Sequence, residues 1–284
     1  MRLSETTVAV VGLGLMGGSL AMALRGQCAR LLGVARSGAT ARAALKAGVV
    51  DVVCSLEGAA READLVVLAT PVRHIIATIP DAAALMRPGS VLMDLGSTKV
   101  RVVEAMNSIP QESGVAAIGG HPMCGKEVGG LESADATLFR GATFVLTPTL
   151  RTTDEALRLA RELVAAVGAR AVVLEAAQHD RATAVISHLP YLLASALVQA
   201  EAQASECDPV TGRLAASGYR DTSRLAASQT EMMLDILLTN RQGVEEALDM
   251  FEAQLGRARA LLADPEGLKE WMIDAQKRRR GMFQ

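Results

Sequence analysis

The apolar residues of the first half of the chain fall into short runs separated by amphipathic or polar segments. The first run, residues 8–11, is rich in valine and stops at Gly12, after which apolar residues return at helical spacing. Further short apolar runs lie at residues 31–35, 64–68 and 90–95. Such alternation of buried strand and helix predicts an α/β domain built on a doubly wound parallel sheet.

The pattern changes after a last predicted strand at residues 171–174. Before it, strands are predicted at residues 115–118 and 143–148. From there to the end the apolar residues recur only at helical spacing. We therefore predict two domains, an α/β domain over residues 1–176 and an all-helical domain over residues 177–284.

The first helix of the second domain is apolar on more than one face. Between residues 180 and 204 the apolar side chains are spread too widely for a helix with a single buried side. His188 and Pro190 in the same stretch favour a buried core helix over a membrane span. Because such a helix is usually covered by other helices or by a partner subunit, we expect a homodimer formed mainly by the helical domain.

The composition limits the class of protein. The 284 residues are 50% hydrophobic but only 2% aromatic, which predicts an aliphatic core. A formal net charge of -2 argues against nucleic acid as the main partner. We see no targeting segment before the first strand and no disulfide or metal-ligand spacing among the cysteines, which are Cys28, Cys54, Cys124 and Cys207. We expect a cytoplasmic protein without a metal site, a nucleic-acid partner or a membrane partner.

The loop after the first strand carries the glycine spacing of a dinucleotide-binding motif. Gly12 permits a tight turn, Gly14 lets the backbone approach a pyrophosphate, and Gly17 lets the next helix pack on the strand. A predicted strand before the loop and a predicted helix after it are the context that this motif requires. We expect Leu13 and Met16 in the same loop to belong to the cofactor site.

The residues after the second predicted strand bear on the choice between NAD and NADP. An acidic residue there would hold the adenosine ribose of NAD, but the sequence has Arg36 and Ser37. A guanidinium and a hydroxyl suit the 2′-phosphate of NADP, which a carboxylate would repel. NADP is therefore the expected cofactor, NAD is the alternative, and a solvated surface arginine is the simpler explanation of Arg36. Thr70 and Pro71, which follow the strand at 64–68, are expected on the cofactor side of the sheet.

His121 is the strongest candidate for acid–base chemistry. Two glycines precede it and a proline follows it, at the end of a predicted strand and in the same region as Thr70 and Ser97. A histidine titrates near neutral pH and takes a proton from a hydroxyl while hydride leaves the same carbon. A loop histidine held by backbone groups is the alternative.

Three further candidates lie in the helical half of the chain. His188 stands on an otherwise apolar helix, where burial requires either a site or the satisfied hydrogen bond of a core histidine. Arg220 and Arg224 are one helical turn apart. Either the two arginines clamp a carboxylate together, or one of them pairs with Asp221.

Several motifs occur in the order and spacing of one known family. They are the glycine loop, Asp94-Leu95-Gly96-Ser97-Thr98-Lys99, Gly120-His121-Pro122-Met123-Cys124-Gly125, His179-Asp180, Ser187-His188-Leu189-Pro190, and Gly218-Tyr219-Arg220-Asp221-Thr222-Ser223-Arg224. By these motifs the chain resembles the prephenate/arogenate dehydrogenase family over essentially its whole length. The resemblance implies a Rossmann-type domain, a helical dimerisation domain, and NAD(P)-dependent oxidative decarboxylation of a cyclohexadienol on the way to tyrosine.

The resemblance also implies roles for individual residues. His121 would accept the proton of the ring hydroxyl, and Ser97 would orient that hydroxyl beside the nicotinamide. Arg224 would bind a substrate carboxylate. His188 and Glu127 match positions that meet the substrate side chain or close the site in some members of the family.

Two positions depart from the prephenate-specific pattern. Tyr191 stands where a second histidine is frequent, and Met233 stands where a tryptophan is frequent. Both departures, like Arg36 and Ser37, are similar to the NADP-using arogenate branch. Because Glu127 is similar to the prephenate branch, the choice between the two substrates stays open.

Two other functions fit the sequence in part. A dinucleotide sensor would keep the fold without turnover, but it has no use for a proton acceptor such as His121 beside the nicotinamide. Another two-domain hydroxyacid or imine dehydrogenase would be expected to carry a lysine on its helical domain. No lysine occurs between Glu127 and Leu268.

Overall fold

A computed structural model describes residues 1–126 and 128–282 of the chain. Its strands form one eight-stranded sheet: β1 Thr7–Val11, β2 Arg30–Val34, β3 Val52–Val53, β4 Leu65–Leu68, β5 Val91–Asp94, β6 Ala116–Pro122, β7 Thr143–Pro148 and β8 Arg170–Val173. The helices between the strands are α1 Leu15–Leu24, α2 Gly38–Lys46, α3 Leu56–Glu62, α4 Val72–Leu85, α5 Val100–Asn107 and α6 Asp154–Ala166.

The described chain after β8 is helical throughout. Its helices are α7 Ala176–Thr183, α8 Leu189–Cys207, α9 Val210–Arg213, α10 Ser217–Ser223, α11 Thr230–Thr239, α12 Arg241–Leu261 and α13 Pro265–Gly281. A π-helical turn, Ala184–His188, joins α7 to α8, and a 3-10 turn, Arg224–Ala227, follows α10. The predicted change from strands to helices is confirmed.

The sheet is parallel except at one pair of strands. The strand order is β3-β2-β1-β4-β5-β6-β7-β8, and every neighbouring pair is parallel apart from β6 and β7. The described residues between these two strands contain no crossover α-helix, so β7 returns in the opposite direction. The predicted doubly wound parallel sheet is confirmed, and the sequence pattern did not indicate the antiparallel pairing of β6 with β7.

Strand β6 is longer than the sequence predicted. The predicted strand ended at Ile118 because glycines are poor strand formers, whereas β6 continues to Pro122. The ladder with β7 includes His121, so this histidine lies on a strand and not in a loop. A Cβ on Gly120 would lie 2.6 Å from the backbone oxygen of Asp94, which explains why glycine is needed where β6 passes β5.

The two faces of the sheet bury separate aliphatic cores. Along β1, Val8 and Val10 enter one core, while Ala9 and Val11 enter the other, as the alternation of side chains on a strand requires. Residues of α1 and α6 complete the first core, and residues of α3, α4 and α5 complete the second. Each fully buried Val or Leu contributes about 1.5–3 kcal/mol to the stability of the fold. The helices packed on both faces therefore stabilise the sheet and fix the positions of its strand ends.

The helical part buries much less of its apolar surface. Its small core is formed by Ala184, Leu189 and Ala247, and no residue of α13 is buried. Large exposed apolar side chains in this part of the chain include Leu238, Met250, Leu255, Leu262 and Met272. The continuous helical stretch Ala176–Cys207 is long and apolar enough to cross a membrane by length and composition, and 28% of its most apolar window is buried.

Candidate active site

The loop between β1 and α1 has the shape that a dinucleotide requires. Gly12 has a φ of +99°, and a Cβ on Gly17 would lie 1.9 Å from the backbone oxygen of Gly12. Glycine at both positions is therefore needed for α1 to pack against the strand. Around the position that a Cβ on Gly14 would occupy, no described atom lies within 4 Å. This open space at the N-terminus of α1 fits a pyrophosphate, whose charge the first helix amides would stabilise.

Other residues expected at the cofactor lie around the same loop. Leu13 is buried in the sheet core, so its side chain contributes packing, while Met16 is half-buried at the start of α1. Pro71 directly precedes α4. The Cγ2 atom of Thr70 would lie 2.8 Å from a Cβ on Gly12, and Oγ1 of Thr70 is buried without a hydrogen-bond partner in the described residues. A bound ligand at the loop is the natural partner for that hydroxyl.

Arg36 and Ser37 follow β2 and are both exposed. The Oγ atom of Ser37 accepts a hydrogen bond from the amide of Thr40 at 3.4 Å, so Ser37 caps α2. This position at the end of β2 is where the adenosine ribose lies in a Rossmann domain. An exposed guanidinium there is compatible with a 2′-phosphate and also with a solvated arginine.

His121 contacts a second histidine that belongs to the helical part. Its Nδ1 atom lies 2.8 Å from Nε2 of His179 on α7, and the two ring planes are inclined at 72°. Nδ1 of His179 lies 2.7 Å from Oδ1 of Asp180. The three side chains form one continuous chain of hydrogen bonds that connects β6 to α7.

The carboxylate of Asp180 is buried and accepts several hydrogen bonds. Oδ1 accepts from the amide of Lys99 at 2.7 Å, and Oδ2 accepts from the amide of Val100 at 2.8 Å. These amides lie at the N-terminus of α5, where the helix dipole and its unpaired N–H groups stabilise a negative charge. Because an ionised carboxylate only accepts hydrogen bonds, His179 donates to it from Nδ1.

The direction of the remaining hydrogen bond follows from that assignment. When the ring proton of His179 is on Nδ1 alone, Nε2 has a lone pair that accepts from Nδ1 of His121. His121 therefore keeps its own lone pair on Nε2, and no described residue forms a hydrogen bond with that atom.

The surroundings of His121 keep the ring neutral. Burial lowers its pKa well below the ordinary 6.5, and His179, Lys99 and His188 act in the same direction. At pH 7 the Nε2 atom is consequently free to accept a proton.

A buried ion pair fixes the backbone beside the two predicted catalytic residues. Nζ of Lys99 lies 2.5 Å from Oδ2 of Asp94, and both side chains are 0% exposed. The Asp94 carboxylate also accepts from the amides of Gly96 at 2.6 Å and Gly120 at 3.0 Å. These glycines directly precede the predicted serine and histidine, so one carboxylate restrains both segments.

Ser97 lies in the loop after β5 and is half-buried. Because β5 and β6 are parallel neighbours, Ser97 and His121 lie at the same edge of the sheet. No described residue forms a hydrogen bond with the Ser97 hydroxyl. The structure therefore places the two predicted catalytic residues on adjacent segments, each with a side-chain atom available to a ligand.

His188 ends the π-helical turn and is 1% exposed. Its Nδ1 atom lies 3.2 Å from Nδ2 of Asn240. Burial lowers the pKa of His188 to about 4, although Asp180 opposes the shift. His188 thus joins the cluster around His121, and it also has the hydrogen bond expected of a core histidine.

The two arginines do not lie together on one α-helix. Helix α10 ends at Ser223, and Arg224 begins the following 3-10 turn. Nε of Arg220 lies 3.6 Å from Oδ1 of Asp221, and the Arg220 side chain is 78% exposed. Of the two alternatives for Arg220, the structure favours the pair with Asp221. Glu127, the other predicted substrate residue, lies outside the described residues.

The sequence assigned no individual role to His179, Asp180, Asp94, Lys99 or Asn240. The first four lie in the quoted motifs, and a charged residue that ends a buried strand, as Asp94 does, is a signal of a functional site at the ligand edge of a sheet. Asn240 has no comparable signal, because an asparagine between two helices is common at helix ends.

Comparison with known proteins identifies the family. Residues 20–173 match the model of the prephenate dehydrogenase nucleotide-binding domain, and residues 175–274 match the model of the prephenate dehydrogenase dimerization domain. The prephenate dehydrogenase of Bacillus subtilis is 32% identical over 288 aligned residues, which cover 99% of this chain and 77% of the relative. The chain therefore belongs to the prephenate dehydrogenase family.

Two solved structures of the family are similar over nearly the whole chain. The A. aeolicus prephenate dehydrogenase in complex with hydroxyphenyl propionate and NAD+ superposes with a TM-score of 0.91 at 29% identity, covering 99% of this chain and 100% of that one. The Synechocystis arogenate dehydrogenase gives a TM-score of 0.85 at 30% identity, covering 97% and 99%. The resemblance drawn from the motifs is confirmed, and this family member is a nicotinamide dinucleotide-dependent dehydrogenase of tyrosine biosynthesis.

Proposed function

We propose that the site oxidises prephenate or arogenate, cyclohexadienols that carry a ring carboxylate, and that NADP is its preferred cofactor, with NAD as the alternative. The observation that carries this proposal is the hydrogen-bonded chain from Asp180 through His179 to His121. It leaves the Nε2 lone pair of His121 as a base at the edge of the sheet where the dinucleotide loop also lies. The names of the B. subtilis and Synechocystis relatives support both substrates.

His121 acts as the general base. When bound, the nicotinamide supplies the acceptor for a hydride. Nε2 of His121 takes the proton of the ring hydroxyl, whose oxygen becomes a carbonyl as the hydride leaves the same carbon. The ring carboxylate then leaves as carbon dioxide because its bonding electrons complete an aromatic ring, and the former hydroxyl oxygen regains a proton. The protein thus has to position the substrate and move one proton.

The chain of side chains behind His121 stabilises the cation that forms on this histidine. Protonated His121 donates from Nδ1 to Nε2 of His179, and the Asp180 carboxylate lies at the far end of the chain. A carboxylate that orients a histidine and stabilises its charged form is also found in the Ser-His-Asp catalytic triad. Ser97 orients the substrate hydroxyl from the adjacent loop.

The remaining predicted residues take substrate or cofactor roles in the proposal. Arg224 binds a substrate carboxylate from the helical part, with Arg220 nearby in sequence, and His188 and Glu127 serve the substrate side chain. The dinucleotide is held by Gly12, the backbone of Leu13, Gly14, Met16, Gly17, Thr70 and Pro71. Arg36 and Ser37 serve the 2′-phosphate, since Arg36 offers a planar fork of donors to phosphate oxygens.

We further propose that the helical domain, residues 177–284, forms a homodimer. The absence of any buried residue in α13 and the exposed apolar side chains of α11 and α12 support this assembly. An obligate interface of this kind buries on the order of 2,000 Å² or more. A membrane location fits poorly, because His179, Asp180 and His188 on the long apolar helical stretch are bonded within the active-site cluster. The cysteines are free thiols in the described residues, which supports a reducing, cytoplasmic compartment.

A turnover assay that crosses prephenate and arogenate with NAD and NADP tests the proposed function. We expect release of carbon dioxide together with reduced cofactor, with NADP giving the larger kcat/KM. Absence of turnover in all four combinations, with cofactor binding intact by fluorescence, would favour the dinucleotide-sensing alternative. A larger kcat/KM with NAD would reverse the cofactor assignment.

A further inference from the structure

Asn240 lies between α11 and α12 and is almost fully buried beside the histidine cluster. Its Nδ2 atom lies 2.7 Å from the backbone oxygen of Asp180 and 3.2 Å from Nδ1 of His188. One side-chain amide therefore bridges α7 and the π-helical turn.

The backbone oxygen of Asp180 determines how the Asn240 amide is oriented. A carbonyl oxygen only accepts hydrogen bonds, so the Asn240 atom that faces it is the NH2 nitrogen and not the amide oxygen. That nitrogen has two hydrogens, and the second is directed to Nδ1 of His188. Nδ1 of His188 accordingly accepts, and the proton of the neutral ring is on Nε2.

His188 and His121 are consequently held in opposite tautomers. His121 has its proton on Nδ1 and a lone pair on Nε2, whereas His188 has a lone pair on Nδ1 and its proton on Nε2. No described residue accepts a hydrogen bond from Nε2 of His188. This N–H is therefore available to an acceptor from outside the described chain.

We propose that Asn240 is a positioning residue that holds His188 in the Nε2–H tautomer, and that this N–H donates to an oxygen atom of the substrate, a carboxylate or a carbonyl. The hydrogen bond from His188 to the substrate rests on the proposed function. An ammonium group at the same place would face this N–H donor and find no lone pair. The assignment therefore predicts that His188 faces a carboxylate or carbonyl of the substrate and not an ammonium group.

Histidine labelled with 15N in the full-length protein gives a readout that does not depend on activity. Two-bond 1H–15N correlations distinguish a protonated from an unprotonated nitrogen in each ring, and a His188→Gln spectrum identifies the His188 signals. We expect protonated Nε2 and unprotonated Nδ1 for His188, and the reverse for His121. A protonated Nδ1 on His188 in the unmodified protein would overturn the proposal.

Two variants test the dependence on Asn240. In Asn240→Asp the carboxylate only accepts, so we expect the proton of His188 to move to Nδ1. In Asn240→Ala we expect a mixture of tautomers. Asn107→Asp is the matched control, because Oδ1 of Asn107 accepts from the amide of Leu150 and an aspartate keeps that bond. An unchanged His188 spectrum in both Asn240 variants would refute the role of Asn240.

Kinetics of the same variants test the proposed hydrogen bond from His188 to the substrate. Loss of this hydrogen bond predicts a rise in substrate KM of about three- to tenfold for a carbonyl acceptor and about tenfold or more for a carboxylate, with the cofactor KM unchanged. An altered His188 tautomer with an unchanged substrate KM would refute the hydrogen bond to the substrate but not the role of Asn240. Lack of turnover in the unmodified protein would refute the proposed function while leaving the spectroscopic result intact.

Discussion

The hydroxyl of Thr98 lies 2.9 Å from the hydroxyl of Thr239. Thr239 donates its own hydrogen to the backbone oxygen of Asp235 at 2.7 Å, so Thr98 is the donor between the two threonines. Thr98 belongs to the loop after β5, next to Ser97, and Thr239 ends α11 immediately before Asn240. This contact therefore links the loop that carries Ser97 to the end of α11, which directly precedes Asn240.

Replacement of His121 by asparagine should abolish most turnover and preserve cofactor binding. The variant keeps a polar side chain but loses the titrating nitrogen, and loss of a general base costs about two to four decades in rate. Cofactor fluorescence and steady-state kinetics measure both effects. His74→Asn, at an exposed position of α4, is the control and should be fully active. Near-normal turnover of the His121 variant would contradict the assignment.

The pH profile reports the protonation state of the same histidine. Because the pKa of His121 is lowered, the neutral, active form persists below the usual titration range. We expect kcat/KM to rise with pH through this lowered pKa and to reach its plateau before pH 6.5. An acidic limb centred above that value would show that the residue facing the substrate hydroxyl is not held neutral.

Replacement of Arg224 by alanine should chiefly raise the substrate KM. A carboxylate is present in both ground and transition states, so its loss weakens binding more than it slows the chemical step. The expected loss is roughly 2–5 kcal/mol if the paired charge is buried. Arg220→Ala is the matched control because that side chain is exposed and paired with Asp221. A larger effect in the control would exchange the roles of the two arginines.

Replacement of Lys99 by methionine should strongly destabilise the fold. It leaves the Asp94 carboxylate buried without its partner, which costs about 3–5 kcal/mol. Urea unfolding measures the loss, and Asp94→Asn combined with Lys99→Met should recover part of it. Arg101→Met, two residues further along the chain and in an exposed pair with Glu104, should have little effect. Equal losses of unfolding free energy in Lys99→Met and Arg101→Met would show that the buried ion pair stabilises the fold no more than the exposed pair.

Replacement of Arg36 by alanine should raise the KM for NADP and leave the KM for NAD nearly unchanged. Charge-assisted hydrogen bonds to phosphate are worth about 1.5–3 kcal/mol, so a rise of about tenfold or more is expected. Arg61→Ala, an exposed arginine on α3 paired with Glu57, is the control. Parallel changes for both cofactors would identify Arg36 as a surface residue without a role in phosphate recognition.

Light scattering at micromolar concentration should give the mass of a dimer. Leu255→Lys and Met272→Lys place charges on exposed apolar positions of α12 and α13 and should dissociate it. Leu150→Lys, in the exposed turn between β7 and α6, is the control and should leave the mass unchanged. An active monomer of the unmodified chain would refute the assembly.

The order of elements and the glycine loop followed from the sequence because they are encoded locally. A valine-rich run that stops at Gly12 predicts a strand and a turn from neighbouring residues alone, and β1 and α1 are found there. The loss of alternating patterns after β8 likewise predicted the helical domain. His121 was selected as a candidate for the same reason, since its flanking glycines and proline are unusual in a short segment.

The partners of the site residues were decided by tertiary structure. His121 and His179 are separated by 58 positions in sequence, and the Lys99 amide is separated from Asp180 by 81. Hydropathy patterns specify which face of an element is buried but not which residue on another element it meets. The antiparallel return of β7, which places His121 on a strand, also depends on sheet pairing rather than on local propensity. The sequence therefore indicated candidate residues for the chemistry, and the packing of α7 against α5 and β7 decided which side chains contact them.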